Sequence, residues 1–146
     1  MKEQEEIIKE FRQQQEKFIY YLIALCVASI AFAVHQTNNK QLAFTQIPLG
    51  VAVICWGISI YSGFKFIAKT LDLLYINNDY FNLLQGKNDI AGRELWKIEV
   101  GKEAFESIMN MKSKRASKFS KLQINSFYFG SLAFIVWHII EMYLAI

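Results

Sequence analysis

Three long apolar runs alternate with polar segments along this chain. The runs cover residues 18–34, 47–68 and 124–146, and the middle run carries no formal charge before Lys65. A helix needs roughly 17–25 mostly apolar residues to cross the hydrocarbon core of a bilayer. The pattern therefore predicts three transmembrane helices. Pro48 would stand in the first turn of the second helix, where a proline is tolerated.

The polar start of the chain is also patterned as a helix. Within residues 1–17, Ile7, Ile8 and Phe11 recur at helical spacing, which predicts an N-terminal helix with one apolar side. Neither glycine nor proline separates this helix from the first span, so we expect the two to be continuous. Residues 35–46 are short and polar, and we interpret them as an external loop between the first two spans.

The segment 69–123 predicts a helical hairpin. Apolar residues continue the helical pattern of the second span to about Leu84, and the glycine-flanked stretch 86–92 then predicts a turn. The helical pattern resumes at Arg93 and continues into the third span. The two helices should therefore run antiparallel to each other.

These elements predict an all-α membrane protein whose three transmembrane helices extend into a cytosolic helical bundle of residues 1–17 and the hairpin 69–123. The composition agrees, since 53% of the 146 residues are hydrophobic and only one is proline, which is too apolar for an ordinary soluble domain. Cys26 and Cys55 lie inside apolar runs, where cysteine acts as a small hydrophobic residue. A disulfide framework is not expected there.

The basic residues predict the orientation in the membrane. Four of the 16 Lys and Arg residues precede the first span, one lies in the first loop, and eleven lie in residues 65–125. Cytosolic segments of membrane proteins carry the excess of Lys and Arg. The distribution predicts a multi-pass protein of the cell inner membrane, with its N-terminus in the cytosol and its C-terminus outside.

One face of the third span gathers candidate pore-lining residues: Ser131, Phe134, His138 and Glu141. The opposite face is apolar throughout, whereas ionisable residues within a span usually face a bundle interior or water. These four residues would line an ion path in an oligomer, with Phe134 as its apolar constriction. Alternatively, Glu141 is solvated at the outer surface and His138 forms a hydrogen bond to a neighbouring helix.

A basic run precedes the third span and consists of Lys112, Lys114, Arg115, Lys118 and Lys121. Lysines just inside a span contact anionic lipid headgroups, which is one interpretation of this run. The other is a site for an anionic cytosolic ligand, such as a nucleotide or an oligonucleotide. Both interpretations predict that these side chains are exposed.

The chain carries no recognisable catalytic pattern. A glycine-rich phosphate loop, a His/Cys metal cluster and the spacing of a Ser/His/Asp site are all missing from the sequence. We therefore expect no enzymatic activity, no cofactor and no bound metal.

In its layout alone, the chain resembles small prokaryotic membrane effectors of anti-phage defence, in which a few spans carry a short helical cytosolic part. The resemblance implies membrane damage or ion flow controlled by a nucleotide-type ligand or a protein partner, and it assigns no individual residue. The leading hypothesis is a homo-oligomeric, ion-conducting or membrane-permeabilising effector gated from its cytosolic side by an anionic ligand or partner. The alternative is a membrane anchor whose cytosolic helices dock a protein partner without conducting.

Overall fold

The computed structural model describes residues 2–38, 44–87 and 94–144, and nearly all of them are helical. Three α-helices follow one another, α1 (Lys2–Thr37), α2 (Ile47–Leu84) and α3 (Leu95–Leu144), and one 3-10 turn (Phe44–Gln46) precedes α2. The all-α class is confirmed for this part of the chain.

The helix bounds agree closely with the predicted continuity. The first helix unites the polar start and the first apolar run, and α2 covers the predicted stretch up to Leu84 as one helix. The middle of the predicted external loop, residues 39–43, lies outside the described residues. The same holds for residues 88–93, which include most of the predicted turn.

A glycine ends α2. Gly86 has a φ of 65°, in the left-handed region that residues with a Cβ rarely adopt. Its N–H donates to the carbonyl of Leu83 at 3.0 Å, and the N–H of Lys87 donates to the carbonyl of Asn82 at 2.9 Å. This pair of bonds is the Schellman motif, which satisfies the last carbonyls of a helix and stops it. The start of the predicted turn is thereby confirmed.

The chain divides into two compact units, a three-helix unit (residues 1–64 and 120–146) and a hairpin unit (residues 65–119). In the three-helix unit, α1 and α3 run parallel, since Gln123 contacts Ile19 and Phe134 contacts Phe32 further along both helices. In contrast, α2 runs antiparallel to α3, because Ser59 contacts Gln123 while the earlier Trp56 contacts Phe134.

The buried residues of the three-helix unit recur mostly at steps of three, four or seven. They are Ile19, Leu22, Cys26 and Ala33 in α1, Leu49, Ala52, Trp56, Ser59, Ser62 and Gly63 in α2, and Gln123, Gly130 and Trp137 in α3. These steps place the buried residues on one side of each helix, as in helices that pack side by side with a left-handed twist. The three helices therefore share one narrow seam and leave most of their surfaces outside it.

The surfaces outside the seam are apolar. On α3 the apolar face opposite the predicted pore-lining residues consists of Leu132, Ile135, Val136, Ile139, Met142 and Tyr143, which are all at least 49% exposed. The described chain holds three helices long and apolar enough to cross a membrane. Apolar surface that lies outside the helix seam is what a bilayer solvates.

In the hairpin unit, the second half of α2 packs against the first half of α3. Leu83 lies against Gly101, where an added Cβ would come within 2.8 Å of its side chain. One hydroxyl, that of Tyr80, donates to Glu106 at 3.3 Å. Because residue numbers rise along α2 as they fall along α3, the predicted antiparallel arrangement is confirmed.

Candidate functional site

A layer of polar residues crosses the seam of the three-helix unit. Gln123, Ser59 and Ser62 are fully buried there. The Ser59 hydroxyl donates to the backbone carbonyl of Gln123 at 2.8 Å, and the Gln123 side-chain Nε2 donates to the backbone carbonyl of Ile19 at 3.4 Å. The buried thiol of Cys26 lies beside the Ser59 side chain. Gln123 therefore joins all three helices, because its backbone carbonyl bonds to α2 and its side-chain amide bonds to α1.

Glycine makes room for this amide. An added Cβ on Gly63 would lie 2.7 Å from Nε2 of Gln123 and 2.9 Å from the side chain of Ile23. Cβ atoms essentially never approach other atoms this closely, so a larger residue here would displace the Gln123 side chain. Small residues let helix backbones approach one another closely within a membrane.

The polar layer has unused hydrogen-bonding capacity. Neither Oε1 of Gln123 nor Oγ of Ser62 has a hydrogen-bond partner within residues 2–38, 44–87 and 94–144, although both atoms are buried. A buried polar atom without a partner costs roughly 1–3 kcal/mol by protein mutational data. Such atoms favour the entry of water or of another polar group, because either would supply the missing hydrogen bond.

Aromatic rings occupy the seam beyond the polar layer. Phe134 lies with its ring centroid 5.7 Å from Trp56 and 5.5 Å from Trp137. Gly130 admits the Trp56 ring, since an added Cβ would lie 2.8 Å from two of its atoms. These rings contact one another between the helices of one chain, so we expect any ion path to pass between chains and not along this seam.

The structure separates the four predicted pore-lining residues. Phe134 is half-buried in the aromatic cluster, and the half-buried Ser131 donates to the carbonyl of Phe127 on its own helix at 3.0 Å. Glu141 is half-buried, whereas His138 is exposed beside the ring of Trp137. Their role in a pore stays a prediction.

The inward face of α3 is rotated relative to the predicted pore-lining face, toward Gly130 and Trp137. Its buried positions are Gln123, Gly130 and Trp137, and the half-buried Phe134 and Glu141 continue the same series. The polar pattern predicts His138 on the inward face, whereas the structure buries its neighbour Trp137 there. A large apolar ring in the seam makes more dispersion contacts than a polar imidazole would.

Four residues of the predicted basic run are exposed: Lys114, Arg115, Lys118 and Lys121. The fifth, Lys112, is half-buried and lies 3.9 Å from the carboxylate of Asp72 on α2. This pairing leaves the exposed residues as the accessible part of the run. Their positive charge is available to anionic headgroups or to a dissolved anion.

Sequence reasoning missed Gln123 as the central residue. It stands between Leu122 and Ile124, two residues after the last lysine of the basic run. Its sequence signal is positional, because it lies seven residues before Gly130 and fourteen before Trp137, on the same helix face. A polar residue in register with a small and an aromatic residue indicates a buried polar contact between helices.

The described residues offer no group of three or more His, Cys, Asp or Glu side chains that could hold a metal ion. Cys26 and Cys55 are both free thiols. The chemistry of this part of the chain is thus that of amides, hydroxyls and surface lysines.

Comparisons with known proteins add no assignment: no family model, no curated protein and no solved structure matches the chain.

Proposed function

We propose that the chain is an integral membrane protein that works as a homo-oligomer and conducts ions, or permeabilises the membrane, in response to an anionic ligand or partner on its cytosolic side. One observation carries the proposal. The exposed basic run and the buried polar layer belong to the same helix, and only Leu122 separates Lys121 from Gln123. An anion bound to the run therefore acts directly on the helix that holds the polar layer.

The coupling rests on charge and on unused hydrogen bonds. Copies of a membrane protein insert in one orientation, so an oligomer places its basic runs at the same depth, where they repel one another. A bound anion relieves this repulsion and allows α3 of neighbouring copies to approach. Because Gln123 and Ser62 each have a buried atom without a partner in the described part of the chain, a shifted α3 can form new polar contacts or admit water. The anion must bind the shifted state more tightly to favour it.

The proposed orientation places the basic run in the cytosol, which is where nucleotide-type ligands occur. The N-terminus then lies in the cytosol and the outer end of α3 lies outside, as the distribution of Lys and Arg predicts. Membrane lipid is the second partner of this surface, since anionic headgroups carry the same phosphate chemistry as a nucleotide.

Reconstitution into liposomes tests conduction. The purified protein should release a trapped cation faster than empty liposomes do, and the release should rise when an anionic nucleotide is added on the basic side. Glu141→Gln should lower the preference for cations over anions, since acidic rings in a pore favour cations. Release that equals that of empty liposomes, with and without nucleotides, would refute conduction.

Charge reversal tests the basic run. Lys114→Glu combined with Lys118→Glu should weaken binding to anionic liposomes or to a nucleotide at low salt, and the difference should shrink in high salt because ions screen exposed charges. The oligomer should remain intact, since exposed substitutions usually change stability within about 0.5 kcal/mol. Lys102→Glu, an exposed lysine of α3 outside the run, is the matched control. Equal binding by the double variant and the control would exclude both anion interpretations.

A second candidate function is the membrane anchor. The first turns of α3 expose large apolar side chains, with Leu95 83%, Trp96 65% and Val100 63% accessible. Exposed apolar residues of this size mark interaction surfaces when they cluster. An anchor that docks a cytosolic protein would use this surface without conducting. Mass measurement in detergent separates the candidates, because a conducting protein must be oligomeric by itself.

A further inference from the structure

The second half of α2 presents an uncharged face that no described residue of the hairpin unit covers. Its positions follow steps of three and four: Leu71, Leu74, Asn78 and Phe81, continued by Gln85 directly after the last residue of the helix. All five are exposed, and Leu71, Leu74 and Phe81 are between 43% and 52% accessible. Tyr75, 74% accessible, lies beside them. Five successive positions on one side of the helix therefore carry no formal charge.

This face points away from the rest of the hairpin unit. The side of α2 that packs on α3 carries Leu83, against Gly101, and Tyr80, whose ring lies 6.0 Å from Phe105. The acidic residues Asp72 and Asp79 follow Leu71 and Asn78 of the uncharged face, and so lie on the flank between this face and the side that packs on α3. At about 1.5 Å per residue, the 38 residues of α2 exceed what a hydrocarbon core of about 30 Å can cover. Part of this helix must therefore meet something other than lipid tails.

The positions of the uncharged α2 face are spaced as in the contact line of a coiled coil, with a polar residue within that line. Leu71, Asn78 and Gln85 occupy one heptad position, and Leu74 and Phe81 occupy the other. A single asparagine at such a position fixes register and favours pairing of two parallel helices. Copies of a membrane protein share one orientation, so their α2 helices can meet only in parallel. The polar residue then faces its own counterpart.

We propose that this α2 face is the contact between two copies of the chain, with Asn78 opposite Asn78 of the partner subunit. The inference rests on the homo-oligomer of the proposed function and adds the surface that forms it. A parallel contact between identical helices brings identical residues together, so any charge would meet a like charge. The α2 face satisfies this condition because it is uncharged.

The exposed stripe of α3 does not satisfy the condition. Its apolar members Trp96, Val100 and Ile108 are interspersed with Glu99 and Glu103. A parallel contact between copies along this stripe would oppose like carboxylates. The stripe suits a partner of different composition, and so it provides an internal control for the α2 face.

Cysteine cross-linking in native membranes tests the contact. Leu74→Cys and Phe81→Cys should each yield a covalent dimer under mild oxidation, at least tenfold more than the parent with its native Cys26 and Cys55. Asp79→Cys, exposed on the flank of the same helix, and Val100→Cys, exposed on α3, are the matched controls. If a control cross-links as strongly as Leu74→Cys, or if neither Leu74→Cys nor Phe81→Cys cross-links, the proposed contact is wrong.

A second variant reports on register. Asn78→Asp, added to Leu74→Cys, places like charges opposite each other in the proposed contact. It should reduce the yield of covalent dimer at least fivefold. Asn110→Asp, exposed on α3, should leave the yield unchanged. An unchanged yield with Asn78→Asp would overturn the assignment of Asn78. An oligomer detected by mass without seam cross-links refutes this contact alone. A monomer in detergent that also fails to release cations refutes the proposed function with it.

Discussion

Replacing Gly130 with leucine should disrupt the packing of the three-helix unit, whereas the same replacement at Gly57 should be tolerated. An added Cβ at Gly130 would lie 2.8 Å from the ring of Trp56 and 3.1 Å from the backbone carbonyl of Ala52. Neither neighbour can move easily, because the ring is buried among other rings and the carbonyl belongs to a helix. The helices α2 and α3 would have to separate.

The expected loss is at least the roughly 1–3 kcal/mol typical of overpacked cores. Gly57 is the matched control because it lies on the exposed side of α2, where an added Cβ would meet open space among the described residues. A glycine in a helix interior costs about 1 kcal/mol relative to alanine, so Gly57→Leu should leave stability equal or raised.

Titration with a denaturing detergent measures the difference in stability between Gly130→Leu and Gly57→Leu. The buried Trp56 and Trp137 report on packing through their fluorescence, and circular dichroism reports on helix content. Gly130→Leu should shift the transition to lower detergent, and Gly57→Leu should not. Coincident transitions for the two variants would mean that α2 and α3 do not approach closely at Gly130.

Gln123→Glu should be strongly destabilising at neutral pH and recover as the pH falls. The substitution keeps the shape of the side chain, but it places an ionised carboxylate where the parent has a fully buried amide. Burying an ionised carboxylate without a partner costs several kcal/mol in proteins. Protonation removes the charge and restores an O–H donor for the carbonyl of Ile19, which Nε2 contacts in the parent. Stability should therefore rise with acidity.

Gln123→Leu is the matched variant without a titratable group. It removes an amide whose Oε1 has no partner among the described residues, and replacing a poorly satisfied polar group by an apolar one of similar size is often nearly neutral. We expect a small change in stability with no pH dependence of its own. Detergent titrations at two pH values give both results, and equal pH profiles for the two variants would place Gln123 outside the buried seam.

Gln123 also has a proposed role in gating. Under the proposed mechanism, Gln123→Leu would fold but lose part of the ligand-dependent cation release, because a shifted α3 could no longer gain the hydrogen bonds that the Gln123 amide offers. A role limited to packing would leave release unchanged. The comparison between folding and release therefore separates a structural amide from a gating one.

Hydrophobic periodicity was enough to predict the helices. Apolar residues at helical spacing and the rarity of proline and glycine predict the long helices. The cluster that begins at Gly86 predicts the end of α2, and with it the antiparallel hairpin. The reason is local, since helix formation and its termination depend on neighbouring residues and on backbone conformation. Span length follows from the same local pattern, because bilayer thickness sets the number of apolar residues.

Only the tertiary structure decided which side of each helix faces inward. The sequence grouped Ser131, Phe134 and His138 on one face, but packing placed Trp137 inside and His138 outside. The inward direction depends on how a glycine on one helix fits a ring on another, as Gly130 fits Trp56, and no single helix encodes that fit. For the same reason Gln123 became the central residue, since its contacts join positions 64 and 104 residues apart along the chain.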